Sequence, residues 1–471
     1  MKRALYSVSL CVGISSCTYF VAPLDPVQPY VANGSMDSGM GSVDSGSMSA
    51  KSDAGMPDAA VFFVDGGGTS DNGPPIVLLD GGSMFPDSDI PPPPPDSDIP
   101  PFPCDSSFPL ADPGGGGPRA CISPSLVLQP DNVGLDSDPS SIVLADLNED
   151  NRLDAIVPSR LSDQLGVMLG NGDGTFQGRV TYEPGNNPRY VAVGKLNADQ
   201  HLDVVVISSG VNVLLGNGDG TLQAAIEYST SAGLTGVALA DMNNDTMLDV
   251  LSLDYTNAKV GVLLGNGNGT LQSRVDFAVA AGPGSVAVGK LDADCNTDVV
   301  TYGEYDGSAA VSVLLGNGDG TLQANTDYRE GTGPYDLALG DLNGDTALDI
   351  LTTNFNGLGL TVNLGNGDGT FQPSVDVTTS AERHAIGIGL ADFDADGKLD
   401  VAVGGPLDEA VLVLRGDGVG AFTSIAPMST GSGSRPTHLA VGDLNGDLRP
   451  DAVYLDMATE QMKVLLNNCM P

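Results

Sequence analysis

The sequence has no tryptophan and three histidines in 471 residues. The lack of tryptophan disfavours a sugar-binding cleft that stacks indole rings on its ligand. His201, His384 and His438 have no catalytic pattern around them, although histidine is the commonest general base. No serine lies in a nucleophile elbow, no cysteines or histidines have zinc spacing, and no phosphate loop with its lysine occurs. The sequence therefore predicts no catalytic residues and a protein that is not an enzyme.

Basic residues are also few. Nineteen lysines and arginines stand against 60 aspartates and glutamates, which gives a formal net charge of −41. A field of this sign repels the phosphate backbone, so we expect no nucleic acid partner. The same charge destabilises the compact state by self-repulsion. Bound cations would relieve that repulsion, and we expect chelation to lower the melting temperature.

The one notable apolar run is N-terminal, where the charged residues MKR precede a short apolar stretch through residue 14. This pattern predicts a signal peptide over 1–16, which is too short to span a bilayer as a stable helix. The tetrapeptide ISSC at 14–17 resembles a bacterial lipobox, which implies that Cys17 is lipidated. We therefore expect an outer-membrane lipoprotein that faces outward and meets the membrane only through its lipid. A secreted protein with an ordinary signal peptide is the alternative.

Residues 17–120 are rich in Gly, Ser, Asp and Pro, with PPPPP at 91–95 and GGGG at 114–117. Such a segment cannot bury enough apolar surface to offset the entropy lost on ordering. We predict a disordered linker, stiffened where proline is dense, between the membrane and a domain at 121–471.

A nine-residue acidic loop recurs seven times in that domain. Its copies start 46 to 51 residues apart, and a fixed period in this range marks a repeat architecture. The copies are DLNEDNRLD at 146–154, KLNADQHLD at 195–203, DMNNDTMLD at 241–249, KLDADCNTD at 290–298, DLNGDTALD at 341–349, DFDADGKLD at 392–400 and DLNGDLRPD at 443–451.

Positions 1, 3, 5 and 9 of the loop carry side-chain oxygens, and position 7 can offer its backbone carbonyl. Calcium takes six to eight such oxygens, so this spacing predicts Ca²⁺ sites rather than solvated turns alone. The predicted ligands are Asp146, Asn148, Asp150, Asp154, Asp241, Asn243, Asp245, Asp249, Asp341, Asn343, Asp345, Asp349, Asp392, Asp394, Asp396, Asp400, Asp443, Asn445, Asp447 and Asp451.

Two copies depart from the pattern, because Lys195 and Lys290 occupy position 1. An ammonium cannot ligate a cation but can replace its charge, so we predict no metal in these loops. Position 6, where glycine favours the sharp turn, is glycine only at Gly397, and threonine is a poor residue for positive φ. The loop 392–400 is therefore the strongest predicted site.

A glycine-rich turn follows each acidic loop except the last, and strand-like apolar runs flank both motifs. The turns are GNGDGTF at 170–176 and 365–371, GNGDGTL at 216–222 and 316–322, GNGNGTL at 265–271 and GDGVGAF at 416–422. Asn-Gly and Asp-Gly steps are hairpin signals. Four antiparallel strands per repeat predict an all-β, seven-bladed propeller. The last repeat lacks a fourth strand, and an orphan apolar stretch at 125–128 is expected to supply it and close the ring.

The paired motifs D-x-[DN]-x-D-x-x-x-D and L-G-N-G-D-G-T-[FL] resemble the FG-GAP/VCBS repeat family, which is similar to the β-propeller head of integrin α subunits. The resemblance covers roughly residues 121–471. It implies a seven-bladed propeller with Ca²⁺ in loops between strands, often on secreted or surface proteins.

The cysteines admit several pairings. Export favours disulfides, and Cys121 and Cys469 flank the proposed closing strand and its neighbour, so we predict a bridge there that locks the ring. Cys104 with Cys121 is the competing pair, and Cys295 within an acidic loop is a candidate free thiol.

The leading functional interpretation is a calcium-binding, surface-anchored propeller that acts as a binding or adhesion module for a protein or polysaccharide. The connections between second and third strands differ among repeats, at 158–164, 208–210, 254–258, 302–310 and 354–359, and this favours binding. A purely structural envelope or matrix component is the first alternative. A polysaccharide-active lyase or hydrolase is the second.

Overall fold

The computed structural model describes residues 7–11, 17–21, 126–130, 133–228, 233–305, 308–329, 333–355, 359–377, 385–407, 409–425 and 428–468. These residues form strands, turns and bends, with no α-helix among them. The first two strands, β1 (Ser7–Cys11) and β2 (Cys17–Val21), pair antiparallel with each other. The described part of the chain therefore has no helix of the length and apolarity that crossing a membrane requires.

Seven antiparallel sheets follow, each with the strand order expected of a propeller blade. Blade 1 contains β5 (Val143–Ala145), β6 (Asp154–Ser159), β7 (Gln164–Met168) and β8 (Val180–Tyr182). Blade 2 contains β9 (Tyr190–Gly194), β10 (Asp203–Ile207), β11 (Val211–Leu214) and β12 (Ile226–Tyr228). Blade 3 contains β13 (Leu234–Ala240), β14 (Asp249–Asp254), β15 (Lys259–Leu263) and β16 (Val275–Ala278). Blades 4 and 5 contain β17 (Pro283–Gly289), β18 (Asp298–Tyr305), β19 (Ser308–Leu314) and β20 (Thr326–Arg329); and β21 (Pro334–Gly340), β22 (Asp349–Asn354), β23 (Leu360–Asn363) and β24 (Val375–Val377).

Blades 6 and 7 carry an extra short strand each. Blade 6 contains β25 (Ile386–Ala391), β26 (Asp400–Gly405), β27 (Ala410–Gly416) and β28 (Phe422–Ser424), with β29 (Met428–Ser429) also on β27. Blade 7 contains β30 (Pro436–Gly442), β31 (Asp451–Asp456), β32 (Gln461–Asn467) and the N-terminal β3 (Leu126–Leu128), with β4 (Val133–Gly134) also on β32. The prediction of an all-β, seven-bladed propeller of four-stranded antiparallel blades is confirmed.

Ring closure is also confirmed. Strand β3 pairs antiparallel with β32, with Leu126 opposite Asn467 and Leu128 opposite Leu465. Blade 7 thus takes its fourth strand from the other end of the domain, and β32 is paired on both sides. Pairing both sides of β32 removes an exposed sheet edge, which would otherwise be open to aggregation.

The hydrophobic core lies between neighbouring blades. Ile156 of blade 1 and Val204 of blade 2, both fully buried, belong to one apolar cluster. Second strands such as β10 are buried along their whole length because both of their faces meet adjacent blades, whereas outer fourth strands such as β8 and β12 are short and largely solvent-exposed. Short exposed outer strands limit edge-to-edge pairing between molecules.

One expected connection is wrong. The segment 302–310 was expected to link second and third strands, but β18 runs to Tyr305 and β19 begins at Ser308. Most of this segment is therefore a long hairpin. The linker prediction for 17–120, apart from β2, and most of the signal peptide prediction for 1–16 lie outside the described residues, so both stay predictions.

Candidate calcium loops

Position 9 of every acidic loop is a structural brace. Each of these seven aspartates is fully buried. One carboxylate oxygen of each accepts the backbone N–H of loop position 2, and the other accepts an N–H from the end of the third strand, at 2.7–2.9 Å. The same two hydrogen bonds are present in the two loops that begin with lysine, so they do not require an aspartate at position 1. Each oxygen keeps a second lone pair, and calcium ligation at position 9 stays a prediction.

Burial raises the pKa of these braces despite their two N–H donors. The pKa is raised to about 6 at Asp154, Asp249, Asp298, Asp349 and Asp451, and to about 7 at Asp400. Burial also raises the pKa of Asp203. The nearby loop carboxylates act in the same direction, because like charges disfavour ionisation.

These pKa shifts predict that the protein stripped of metal by EDTA is more stable at about pH 5 than at about pH 7.5. Each folded pKa lies above the unfolded value near 3.8, so the contribution is complete below that value and is lost as pH rises through 6 to 7. Buried His438 has a pKa lowered to about 4, so its own contribution to stability rises with pH and opposes this trend. It is one group, whereas the position 9 aspartates are seven. Urea denaturation in EDTA at both pH values measures the difference. A midpoint that rises with pH would contradict the prediction.

Position 1 determines the shape of the loop. In the five loops that begin with aspartate, called the Asp-headed loops, one oxygen of this residue accepts the N–H of position 5 and the other that of position 6, at 2.8–3.2 Å. Position 4 of these loops has positive φ in each case, at Glu149, Asn244, Gly344, Ala395 and Gly446. The Lys-headed loops, 195–203 and 290–298, lack positive φ at position 4. The two loop classes seen in the sequence therefore correspond to two backbone conformations.

Position 6 has positive φ in all seven loops, as the expected glycine preference implies. Gly397 has φ of 84°, and Thr346 is held at 74°. A β-branched residue in this region is strained, by about 1–2 kcal/mol relative to an ordinary conformation. The other threonine at this position, Thr246, has φ of 70°.

Exchanging the residues at position 6 tests this strain. We expect Gly397→Thr to lower the free energy of unfolding by about 1–2 kcal/mol. A Cβ at Gly397 would meet nothing within 4 Å, so the loss would come from backbone conformation alone. Thr346→Gly is the reciprocal variant and is expected to be neutral to stabilising, because relief of strain offsets the higher entropy of glycine in the unfolded chain. Chemical denaturation measures both, and a destabilised Thr346→Gly would contradict the account.

Positions 3 and 5 complete the loop. The position 5 carboxylate accepts the N–H of position 7 throughout, as Asp245 does from Met247 at 2.8 Å. In three Asp-headed loops its other oxygen accepts the amide of the position 3 asparagine, as in Asn243 to Asp245 at 2.8 Å. Positions 1, 3 and 5 therefore lie on one side of a tight turn, and their oxygen-only donor set fits a hard cation such as Ca²⁺.

The loop 392–400 differs from the other four. Among the described residues, Asp392, Asp394 and Asp400 are the one group of three carboxylates whose oxygens lie within 4.8 Å of one another. The fourth predicted ligand, Asp396, instead accepts a hydrogen bond from Arg415 Nη2 at 2.9 Å. Sequence reasoning missed this arginine. Its signal was readable, because Arg415 precedes the glycine turn where the other five turns have leucine.

Acidic loops and glycine turns also join neighbouring blades. The N–H of the third glycine in each turn donates to the position 2 carbonyl of the preceding blade, as from Gly269 to Leu196 at 2.9 Å. The leucine before each turn packs under the third glycine of the next blade, where a Cβ at Gly269 would lie 2.6 Å from Leu215. Blade 7 has no such turn, and the side chain of Asn467 donates to the Phe393 carbonyl at 2.8 Å in its place.

One cysteine interpretation is wrong and another is untested. Cys295 is disulfide-bonded, so it is not a free thiol. Cys295 occupies position 6 of its loop and has the positive φ of that position, at 68°. Cys121 and Cys469 lie outside the described residues, and their bridge stays a prediction.

The recurring loop and turn match the model of the FG-GAP-like repeat in six overlapping stretches, 146–206, 195–252, 241–301, 291–352, 341–403 and 392–454. Together the matches cover more than half of the chain. The chain belongs to the FG-GAP-like repeat family. A search of curated proteins found no match.

Two solved structures resemble this FG-GAP-like protein. One is an Agrocybe aegerita lectin that recognises non-reducing terminal N-acetylglucosamine, with 19% identity, 69% of this chain and 87% of the lectin chain covered, and a TM-score of 0.48. The other is BBS1N, solved in complex with ARL6DN and soaked with lead, with 11% identity, 73% and 98% coverage, and a TM-score of 0.50. At 11% identity the likeness to BBS1N shows the fold alone.

Proposed function

We propose that this FG-GAP-like protein is a calcium-stabilised binding module, anchored at a bacterial surface through Cys17, whose ligand is a protein or a polysaccharide. The observation that carries the proposal is the difference between the two faces of the ring. Acidic loops join first to second strands and glycine turns join third to fourth strands, so both lie on one face. That face is nearly the same in every blade, whereas the opposite face is formed by connections that differ.

The opposite face has the properties of a recognition surface. Its connections expose large apolar side chains in three different blades, at Leu161 (71% exposed), Tyr255 (48%) and Leu407 (60%). Function resides more often in variable loops on a rigid scaffold than in the scaffold itself. This surface favours binding over a purely structural envelope role. The chain's net charge of −41 disfavours nucleic acid as the ligand.

Calcium would act on the repetitive face. Four Asp-headed loops have the same donor set, and each would hold a cation through positions 1, 3 and 5. They are 146–154, 241–249, 341–349 and 443–451. When bound, the cation supplies positive charge where three carboxylates lie in one short loop. This charge would oppose the mutual repulsion of the carboxylates and stabilise the acidic loops, which are hydrogen-bonded to the glycine turns of neighbouring blades.

A binding assay with paired variants tests the recognition surface. Purified full chain is titrated onto a glycan array and onto immobilised envelope proteins, with calcium and with EDTA. We expect saturable binding to one of these, reduced at least tenfold by Tyr255→Ala combined with Leu407→Ala. Val375→Ala, on the outer strand β24 and 61% exposed, is the matched control and should bind as the wild type does. No saturable binding, or an equal loss with the control, would refute the proposal.

The anchor needs a separate assay. In a bacterial host, the wild type should partition with membranes and incorporate labelled fatty acid, and Cys17→Ser should do neither. A Cys17→Ser protein that stays in the membrane fraction would remove the lipid anchor from the proposal.

A further inference from the structure

The loop 392–400 contains a cation supplied by the chain itself. Arg415, at the end of β27, places its Nε 2.6 Å from Asp394 Oδ2 and its Nη2 2.9 Å from Asp396 Oδ2. These carboxylates occupy positions 3 and 5, which in the other Asp-headed loops would be offered to a metal. We propose that the Arg415 guanidinium takes the place of calcium in this loop, so that the sixth blade holds its loop without metal. The inference rests on the proposed calcium loops of the other blades.

The donor pattern supports this substitution. In three other Asp-headed loops the position 3 asparagine donates its amide to the position 5 carboxylate. Asp394 has no such donor to offer, and Arg415 Nη2 donates to Asp396 instead. The guanidinium therefore does two things at once: it satisfies position 5 and it neutralises the additional negative charge at position 3. A planar fork of donors suits two neighbouring carboxylates in this way, whereas a calcium ion would have to displace it.

The carboxylates at positions 3 and 5 of this loop are also more buried than their counterparts in the other Asp-headed loops. Asp394 is fully buried, whereas the asparagines at position 3 elsewhere are half-buried. Asp396 is half-buried, whereas the aspartates at position 5 elsewhere are exposed. A buried carboxylate requires a partner charge because desolvation of an unpaired ion is costly. Arg415, at 39% side-chain exposure, provides that charge and covers the loop.

The fold explains why arginine is tolerated at this one place. Elsewhere the residue before the glycine turn is a leucine wedged under the third glycine of the next blade, as Leu364 is under Gly420. Blade 7 has no glycine turn, because its fourth strand is the N-terminal β3. The residue at 415 is therefore released from that packing and can reach its own acidic loop. The junction of blades 6 and 7 is held instead by the hydrogen bond from the Asn467 side chain to the Phe393 carbonyl.

Calcium stoichiometry tests the inference. The full chain is stripped with EDTA, and calcium binding is titrated by calorimetry for wild type, Asp392→Asn, Arg415→Leu and Arg415→Leu with Asp392→Asn. We expect Asp392→Asn to leave the wild-type number of calcium ions unchanged. Arg415→Leu, which restores the leucine of the other blades, should gain one calcium per chain, and the added Asp392→Asn should remove it again. Arg415→Leu should also melt lower than the wild type in EDTA and recover in calcium.

Two results would overturn the inference: loss of one calcium equivalent in Asp392→Asn, or a folded Arg415→Leu that gains none. If Arg415→Leu does not fold in EDTA or in calcium, the Asp392→Asn comparison still decides. Failure of the proposed calcium function gives a different pattern, in which the wild type binds no calcium and Asp241→Asn changes nothing. In that case a single ion gained by Arg415→Leu would leave the inference standing.

Discussion

Replacing Asp203 by alanine is expected to lower the free energy of unfolding by about 2–6 kcal/mol, because two buried N–H groups would lose their acceptor at about 1–3 kcal/mol each. These groups are the backbone N–H of Leu196 and of Gly216, at 2.8 and 2.9 Å from the carboxylate. Urea denaturation of the full chain measures the loss. Asp203 lies in a Lys-headed loop, so the loss should be the same in calcium and in EDTA.

Asp199→Ala is the matched control for this prediction. It removes a carboxylate of the same loop, but Asp199 is exposed and water can replace its contacts. Its effect should stay within about 1 kcal/mol. Equal losses for Asp199→Ala and Asp203→Ala would show that position 9 is not a brace. The corresponding Asp249→Ala, in an Asp-headed loop, should lose more in calcium than in EDTA.

Leu126→Asp is expected to destabilise the ring by about 4 kcal/mol or more, because it removes a buried leucine and places a charge in an apolar core. Leu126 is 5% exposed and packs in the cluster shared by blades 6, 7 and 1. The substitution attacks the strand that completes blade 7. Val127→Asp is the control, because Val127 is 42% exposed on the other face of the same strand. It should cost less than about 1 kcal/mol in the same denaturation experiment. Similar effects at both positions would contradict closure by β3.

Much of the fold was readable because the repeat is regular. The spacing of the acidic loops located seven blades, and the missing fourth strand of the last repeat identified the stretch around Leu126 as the closing strand. These inferences needed only periodicity and the strand requirement of a blade. The 302–310 segment was misjudged because Gly303 and the residues around it continue a β-hairpin despite their loop-like composition.

The site was less readable because contacts between blades are not periodic neighbours in sequence. The oxygen pattern located the loops but could not show that position 9 braces the backbone in all seven, including those headed by Lys195 and Lys290. Arg415 could have been noticed as the one arginine in a column of leucines. The Arg415 side chain can turn toward its own acidic loop because blade 7 has no glycine turn for it to pack under. That contact between blades is seen in the three-dimensional structure and not in the repeat pattern.

Calcium in the four remaining Asp-headed loops is expected to hold the ring together. Melting the full chain after its metal content has been quantified tests this expectation. The protein should bind about four calcium ions, melt several degrees lower in EDTA and recover its melting temperature when calcium is restored. A metal-free preparation that melts at the same temperature with and without calcium would contradict it.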